Sequence, residues 1–315
     1  MNLGRKFIEG LKRLYKTWLP HIVTGFLLLY ITFYSIFYLQ FNHTTINGKN
    51  KISLRTEQRY TQTSKESRPH IVLGILSGEK NIRFRDTQRN TWIKTMLHLH
   101  KVLPFKITYT FLLDEPSSES TKENNLHKDI VYLNVSHHGR AVKFGEKMYV
   151  WWKYIHKVYP DALMGAKIDD DAFVCVPQMF NRLNTLKSVN LYYGWRHGKQ
   201  RYVDIDNRID EMFLVLGKDL ISLISNRTYC GERKCKNKDD LIETNYGGNS
   251  LGEWLSIYSD KINFKSDNDR IVQTGPNPLA IAEKYLNPEF CDKKLVFHKS
   301  TCEIMQQLHS YRRES

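Results

Sequence analysis

The chain has 315 residues, with 47 Lys and Arg against 33 Asp and Glu, for a net charge of +14. Its length fits one large domain or two small ones, and an apolar content of 41% supports a substantial core. The basic excess is spread along the chain with no long Lys/Arg run and no nucleic-acid-binding motif. It therefore speaks for an anionic membrane surface or a phosphate-bearing ligand and against nucleic acid.

Taken in order, the first informative stretch is HIVTGFLLLYITFYSIFYLQF, residues 21–41, which contains no Asp, Glu, Lys or Arg. As a helix it would span about 31 Å, the thickness of a bilayer's hydrocarbon core. Arg5, Lys6, Lys12, Arg13 and Lys16 precede it against the single acid Glu9, so the positive-inside rule places the N-terminus in the cytosol and the body in the lumen. Trp18 and Tyr38 suit the aromatic belts. The run is too long for the core of a cleaved signal peptide, and no clear small-residue cleavage site follows, so an uncleaved type II anchor is expected. The resulting organisation is a cytosolic tail (1–20), a transmembrane signal anchor (21–41), a polar stem (42–68) and a lumenal domain (69–315). Sequons at Asn42-His43-Thr44, Asn134-Val135-Ser136 and Asn226-Arg227-Thr228 are consistent with that body being lumenal. Of five cysteines, Cys230 with Cys235 and Cys291 with Cys302 are spaced for local disulfides, which leaves Cys175 as a buried thiol.

Within the domain, His70–Leu76 (HIVLGIL) reads as a buried strand broken by Ser77-Gly78. A helix is expected from Arg83 to Trp92, with Arg85 and Arg89 sharing one face, either for a phosphate-bearing ligand or as an ordinary solvated basic face. Phe105–Leu113 reads as a strand, followed by a polar loop, and Asp129–Val135 as another strand. A long helix over Ala141–Tyr159 carries the apolar stripe of Met148, Trp151 or Trp152, Ile155 and Val158 or Tyr159, expected in the core. The apolar run Ala162–Ile168 ends in Asp169, Asp170 and Asp171. Downstream come a helix at Gln178–Leu186, strands at Leu191–Trp195 and Met212–Leu216, and a helix at Leu220–Ser225. The acids Asp239, Asp240 and Glu243 precede a Gly-Gly turn and the helix beginning at Leu251, and a last strand spans Lys294–His298. Strands alternating with helices from residue 70 to 171 predict an α/β fold with a largely parallel sheet, whose ligands bind beyond the carboxyl ends of the strands.

Asp169–Asp171 fall at such an end. On an extended chain residues i and i+2 share a side, so Asp169 and Asp171 face one way and Asp170 the other. Adjacent carboxylates repel, and a hard divalent cation such as magnesium or manganese relieves the conflict.

The pieces Arg85-Asp86-Thr87-Gln88-Arg89-Asn90-Thr91-Trp92, Lys167-Ile168-Asp169-Asp170-Asp171-Ala172-Phe173 and Leu251-Gly252, with their order and spacing and with the anchor and stem, resemble a known family. It is that of the inverting β-1,3-galactosyltransferases and β-1,3-N-acetylglucosaminyltransferases of the secretory pathway, and the resemblance covers roughly residues 69–300. Many members carry Glu-Asp-Val before the late helix, with that Asp the usual base. This chain has Gly247-Gly248 there, which looks more like a protozoan branch, and Glu243 holds the acid position.

The resemblance implies a GT-A fold with a Rossmann-like central sheet and a UDP-sugar donor. It further implies a glycan acceptor on glycoprotein or glycolipid, manganese (or magnesium), and a Golgi membrane location. It implies Asp169 and Asp171 as metal ligands with His298 as a further one. Arg85, Arg89, Lys167 and Asp170 fall on the donor side, Arg85 and Lys167 either meeting phosphates or holding the domain together. Glu243 is the implied base, with Asp239 and Asp240 next in line. The alternatives are an inactive subunit that binds UDP or glycan, and a metal-dependent phosphoesterase.

Overall fold

The computed structural model describes residues 68–135, 144–197, 208–231, 237, 240–242, 249–273 and 284–311. The expected anchor and stem lie outside the described residues, and among the described residues no helix is long and apolar enough to cross a membrane. Residues 68–315 form one compact unit.

The unit is built on a seven-stranded sheet. Strand β1 (His70–Leu76) is buried along its length, as a β-branched run covered on both faces should be. It pairs in parallel with β2 (Lys106–Leu113) on one side and with β4 (Ala162–Asp169) on the other, and β2 pairs in parallel with β3 (Ile130–Tyr132). On the far side of β4 lie β7 (Ile209–Gly217), β6 (Leu191–Arg196) and β10 (Asn263–Ser266), giving the order β10-β6-β7-β4-β1-β2-β3. Strand β7 runs antiparallel to both its neighbours, and the other pairings are parallel. The architecture is thus mixed α/β around a mostly parallel sheet.

Helices cover both faces. Helices α1 (Ile82–Asn90) and α2 (Trp92–His98) replace the single helix expected from Arg83 to Trp92, the break falling at Thr91. The stretch expected to be a polar loop contains α3 (Ser118–His127), started by a reciprocal capping box between Ser117 and Ser120. Its buried residues are Ser120 and Glu123, so it has no apolar stripe for a periodicity argument to find.

Helix α4 (Phe144–Val158) buries Met148, Trp151, Trp152 and Ile155, the expected stripe. Two glycines let it lie close to the sheet: a Cβ on Gly74 of β1 would stand 2.4 Å from Trp151 Cε2, and one on Gly165 of β4 would stand 2.6 Å from Ile155 Cδ1. Helix α5 (Val176–Asn184) and the C-terminal α9 (Cys302–Ser310) pack with α1 and α2 on the other face, around Trp92, Phe180 and Met305. Helices α6 (Lys218–Ser225) and α7 (Asn249–Ser256) share the face of α4. Between them in the chain, β8 (Tyr229–Gly231) and β9 (Leu241–Ile242) pair in parallel as a separate two-stranded ribbon.

A second, small sheet decides the site. Strand β5 (Phe173–Val174) leaves the Asp triplet and pairs antiparallel with β12 (Val296–Phe297), which pairs in parallel with β11 (Ile271–Val272). The last strand is therefore only two residues long, not the five expected, yet its pairing returns the chain's end to the tip of β4. The disulfide Cys175–Cys291 locks the same region, joining the start of α5 to the short α8 (Phe290–Lys293). This corrects the expected pairing: Cys175 is bonded, Cys302 is a buried free thiol, and Cys291 does not pair with Cys302. Cys230 is also disulfide-bonded. Spacing of 11 positions made Cys291 and Cys302 look local, but α9 carries Cys302 toward Arg83 instead.

Candidate metal centre

Asp169 is the last residue of β4, and a turn closed by Ala172 N donating to Asp169 O (3.1 Å) carries the chain through Asp170 and Asp171 into β5. The expected common side for the two outer carboxylates is reached, but through this turn and not through extended-strand alternation, since β4 ends at Asp169. Asp169 and Asp171 face one side, where His298, next to the end of β12, meets them. One ligand atom from each of the three lies within 4.8 Å of the others. His298 Nε2 is 3.4 Å from Asp169 Oδ2 and 3.4 Å from Asp171 Oδ1.

The electrostatics are those of a cation site. Burial disfavours the charged imidazole, yet the two carboxylates outweigh it and push His298 up to about 9. Burial also works against the Asp169 carboxylate, but Lys167 and His298 hold its pKa below the ordinary range. Asp171 Oδ1 is buried and accepts no hydrogen bond, an arrangement that calls for a further positive partner. Two carboxylates and an imidazole are a donor set that fits a divalent cation.

Asp170 points the other way. Ser77 Oγ donates to its Oδ2 at 2.5 Å and Asn81 Nδ2 at 3.0 Å, while its own N–H donates to Leu76 O at 3.1 Å. It ties the tip of β4 to the loop after β1, and burial pushes its pKa up. Asp170 thus serves as an anchor inside the domain.

The basic residues expected on the donor side are likewise committed. Arg85 is fully buried: its Nε and Nη2 donate to Glu123 at 2.8 and 2.6 Å, and its Nη1 to Ser77 Oγ at 2.9 Å and Gly78 O at 2.6 Å. Arg89 pairs with Asp129 (2.9 and 2.8 Å), Asp86 (2.7 Å) and Glu123 (2.7 Å), and lies over the Phe111 ring. Through these pairs Arg85 and Arg89 tie α1 to Glu123 of α3 and to Asp129. Lys167 is buried against Asp169 Oδ1, donates to Glu211 O at 2.5 Å and sits over the Phe144 ring. It holds the Asp169 carboxylate from behind.

Glu243 and Asp239 lie outside the described residues. Asp240 accepts from Asn237 N at 3.1 Å and lines a groove beside α6 with Asp219 and Ser222, not the triad. Two buried carboxylates lie at the start of β7, which begins at Ile209, three residues before the Met212 start that the apolar run indicates. Asp210 meets His197 Nε2 at 2.6 Å and Gln273 Nε2 at 3.2 Å. Burial pushes Glu211 up to about 7 against the opposing charge of Arg208.

The fold and the triad define an α/β domain with a candidate divalent-cation centre at the carboxyl end of its central strand. Residues 83–229 match the family model described as Galactosyltransferase, a span that runs from α1 past the Asp triplet to just beyond α6. No curated protein matches the chain. Among solved structures, a glycosyltransferase involved in glycosylation of the major capsid of PBCV-1 is 12% identical. The overlap covers 78% of this chain and 99% of that one, with a TM-score of 0.43. Galactosyltransferase LgtC, crystallised with donor and acceptor sugar analogues, is 12% identical over 76% of this chain and 95% of its own, with a TM-score of 0.39. Glycosyltransferase GlyE of Streptococcus pneumoniae TIGR4 is 11% identical over 78% of this chain and 60% of its own, with a TM-score of 0.39. These are distant overlaps of chain path, below the similarity at which a shared chemistry follows.

Proposed function

We propose that the chain is a metal-dependent, inverting glycosyltransferase with a GT-A fold. It transfers galactose or N-acetylglucosamine from a UDP-sugar in β-1,3 linkage to a glycan acceptor on glycoprotein or glycolipid. Its setting is the Golgi membrane, with a single type II anchor at residues 21–41 and residues 69–315 in the lumen. The observation that carries the reading is the Asp169–Asp171–His298 triad, whose two carboxylates fall within the span that matches the Galactosyltransferase model while His298 is brought in from the C-terminal side of it.

Asp169, Asp171 and His298 would hold manganese, which when bound supplies charge neutralisation of the donor diphosphate and Lewis-acid help to the departing UDP. Lys167 fixes the Asp169 carboxylate, and Asp170 fixes the turn between the two ligands. In the transfer the bond from the sugar anomeric carbon to the UDP oxygen breaks and a bond to the acceptor oxygen forms on the opposite face. The acceptor's proton goes to a carboxylate on that face, for which Glu243 is the candidate. A carboxylate of ordinary pKa, about 4.3, is ionised at the pH of a secretory compartment and needs no special tuning.

The test is UDP release by the purified full chain with UDP-galactose or UDP-N-acetylglucosamine and a panel of β-galactoside acceptors, with and without manganese. The expected result is manganese-dependent turnover that falls by about 100-fold or more in Asp171→Asn, the loss of several kcal/mol of transition-state stabilisation. UDP binding without turnover on any acceptor would overturn the proposal in favour of an inactive binding subunit.

A further inference from the structure

We infer that Gln88 is a positioning residue for the cation centre, clamping the turn that carries Asp171 and thereby setting cation affinity; this rests on the reading of Asp169, Asp171 and His298 as that centre. Gln88 lies on α1 and is fully buried, yet α1 supplies no ligand. Its side-chain Nε2 donates to Asp170 O at 2.7 Å and to Ala172 O at 3.1 Å, with Asp169 O at 3.4 Å. The two close carbonyls flank Asp171 on either side. The amide thus spans the residue whose carboxylate faces His298.

The remaining carbonyls of the turn are held by backbone. Ala172 N donates to Asp169 O at 3.1 Å and Ser300 N to Asp171 O at 2.7 Å. Gln88 is the side chain that fixes the turn, and Ser77 and Asn81 fix the Asp170 carboxylate beneath it. The orientation of the amide is set by its surroundings, because a flipped group would point Oε1 at three carbonyl oxygens. In the orientation present, Oε1 is buried with no hydrogen-bond partner. That arrangement carries a desolvation penalty which an apolar side chain of similar volume would avoid. A buried acceptor left unmet so that its NH2 can hold a ligand-bearing turn is a stability cost placed at a functional site.

Residues behind metal ligands typically shift affinity by about 10- to 100-fold when removed. The test titrates Mn2+ into the metal-stripped full chain and follows the free-ion electron paramagnetic resonance signal, with no substrate present. Gln88→Met keeps the volume and removes the donors, and Gln88→Asn keeps an amide one methylene too short. The expected order of affinity is wild type, then Asn, then Met, with Met weaker by about 10-fold. In turnover, the manganese concentration for half-saturation should rise by a similar factor while kcat at saturating manganese stays within about 2-fold, a split that a merely structural role would not produce. If Gln88→Met does not fold, Gln88→Asn decides alone: weaker binding supports the clamp and unchanged binding overturns it. Asp171→Asn separates the two readings. Loss of Mn2+ binding there with wild-type affinity in both Gln88 variants would overturn the clamp and leave the cation centre standing. Unchanged binding in Asp171→Asn would overturn the centre itself.

Discussion

Arg85 and Glu123 face each other in a buried bidentate ion pair, Nε to Oε1 at 2.8 Å and Nη2 to Oε2 at 2.6 Å. The pair joins α1 to α3 and, through Arg85 Nη1 and Ser77 Oγ at 2.9 Å, reaches the hydroxyl that holds Asp170. Removing one partner leaves a charge buried without compensation, which costs about 3–5 kcal/mol. Glu123→Ala is therefore expected to lower stability by roughly that much, read from urea unfolding. Burial alone would raise the Glu123 pKa, but Arg85 and Arg89 hold it below its ordinary 4.5. Its contribution is complete above that value and is lost as pH falls below it toward the folded pKa. An acid limb that is unchanged in Glu123→Gln would contradict this assignment.

Glu211 gives the opposite sign. Burial raises its folded pKa to about 7 from an ordinary 4.5. Between those two values the folded chain holds a proton that the unfolded chain has released, so stability falls as pH rises through the window. The shift corresponds to roughly 3 kcal/mol, felt in full above pH 7. Glu211→Gln is expected to be more stable than wild type at pH 8, with the gap closing by pH 4. A gap that does not vary with pH would show that folding leaves the Glu211 pKa unshifted.

The disulfide makes a prediction about chain connectivity. Cys175 and Cys291 are 116 residues apart, and a cross-link over a loop of that length stabilises by about 4–5 kcal/mol in the chain-entropy account. Peptide mapping under non-reducing conditions should recover the peptide of Cys175 joined to that of Cys291, with Cys302 alkylated only after unfolding. Joint replacement of Cys175 and Cys291 by Ala should lower the unfolding free energy by several kcal/mol. Recovery of a Cys291–Cys302 peptide would refute the connectivity.

These assignments also mark what the sequence could carry. The central strands were legible because β1 and β4 are apolar runs buried on both faces. The shared side of Asp169 and Asp171 was anticipated from extended alternation, whereas the turn closed by Ala172 N on Asp169 O is what produces it. Helix α3 was not legible, because it packs through Ser120 and Glu123 and has no apolar period. That omission hid Glu123, the partner of Arg85. The Cys175–Cys291 bond and the placing of His298 depend on pairing between β5 and β12, two-residue strands more than 100 positions apart, which no local pattern records. Gln88 was in view as part of a motif, but its task is defined only by carbonyls at positions 170 and 172.

The proposed lumenal setting makes its own prediction at Asn226. This residue is exposed at the C-terminal end of α6, with Nδ2 donating to Ser222 Oγ at 3.2 Å, and Thr228 completes the sequon on the surface. Asn134 is also exposed, in the left-handed region at φ 52°. A chain whose body enters the lumen offers Asn226 to a lipid-linked oligosaccharide. There a bond forms between Nδ2 and the sugar's anomeric carbon as the amide loses a proton and the lipid diphosphate departs. Full-length protein made in a secretory host should shift to lower mass on treatment with an amide-cleaving endoglycosidase, and Asn226→Gln should lose one step of that shift. Protease protection in sealed microsomes reads the orientation separately. A protected body with no glycan at Asn226 would refute the site and leave the topology intact. A body digested from outside would refute the type II topology itself, and the basic residues before position 21 would then need another account.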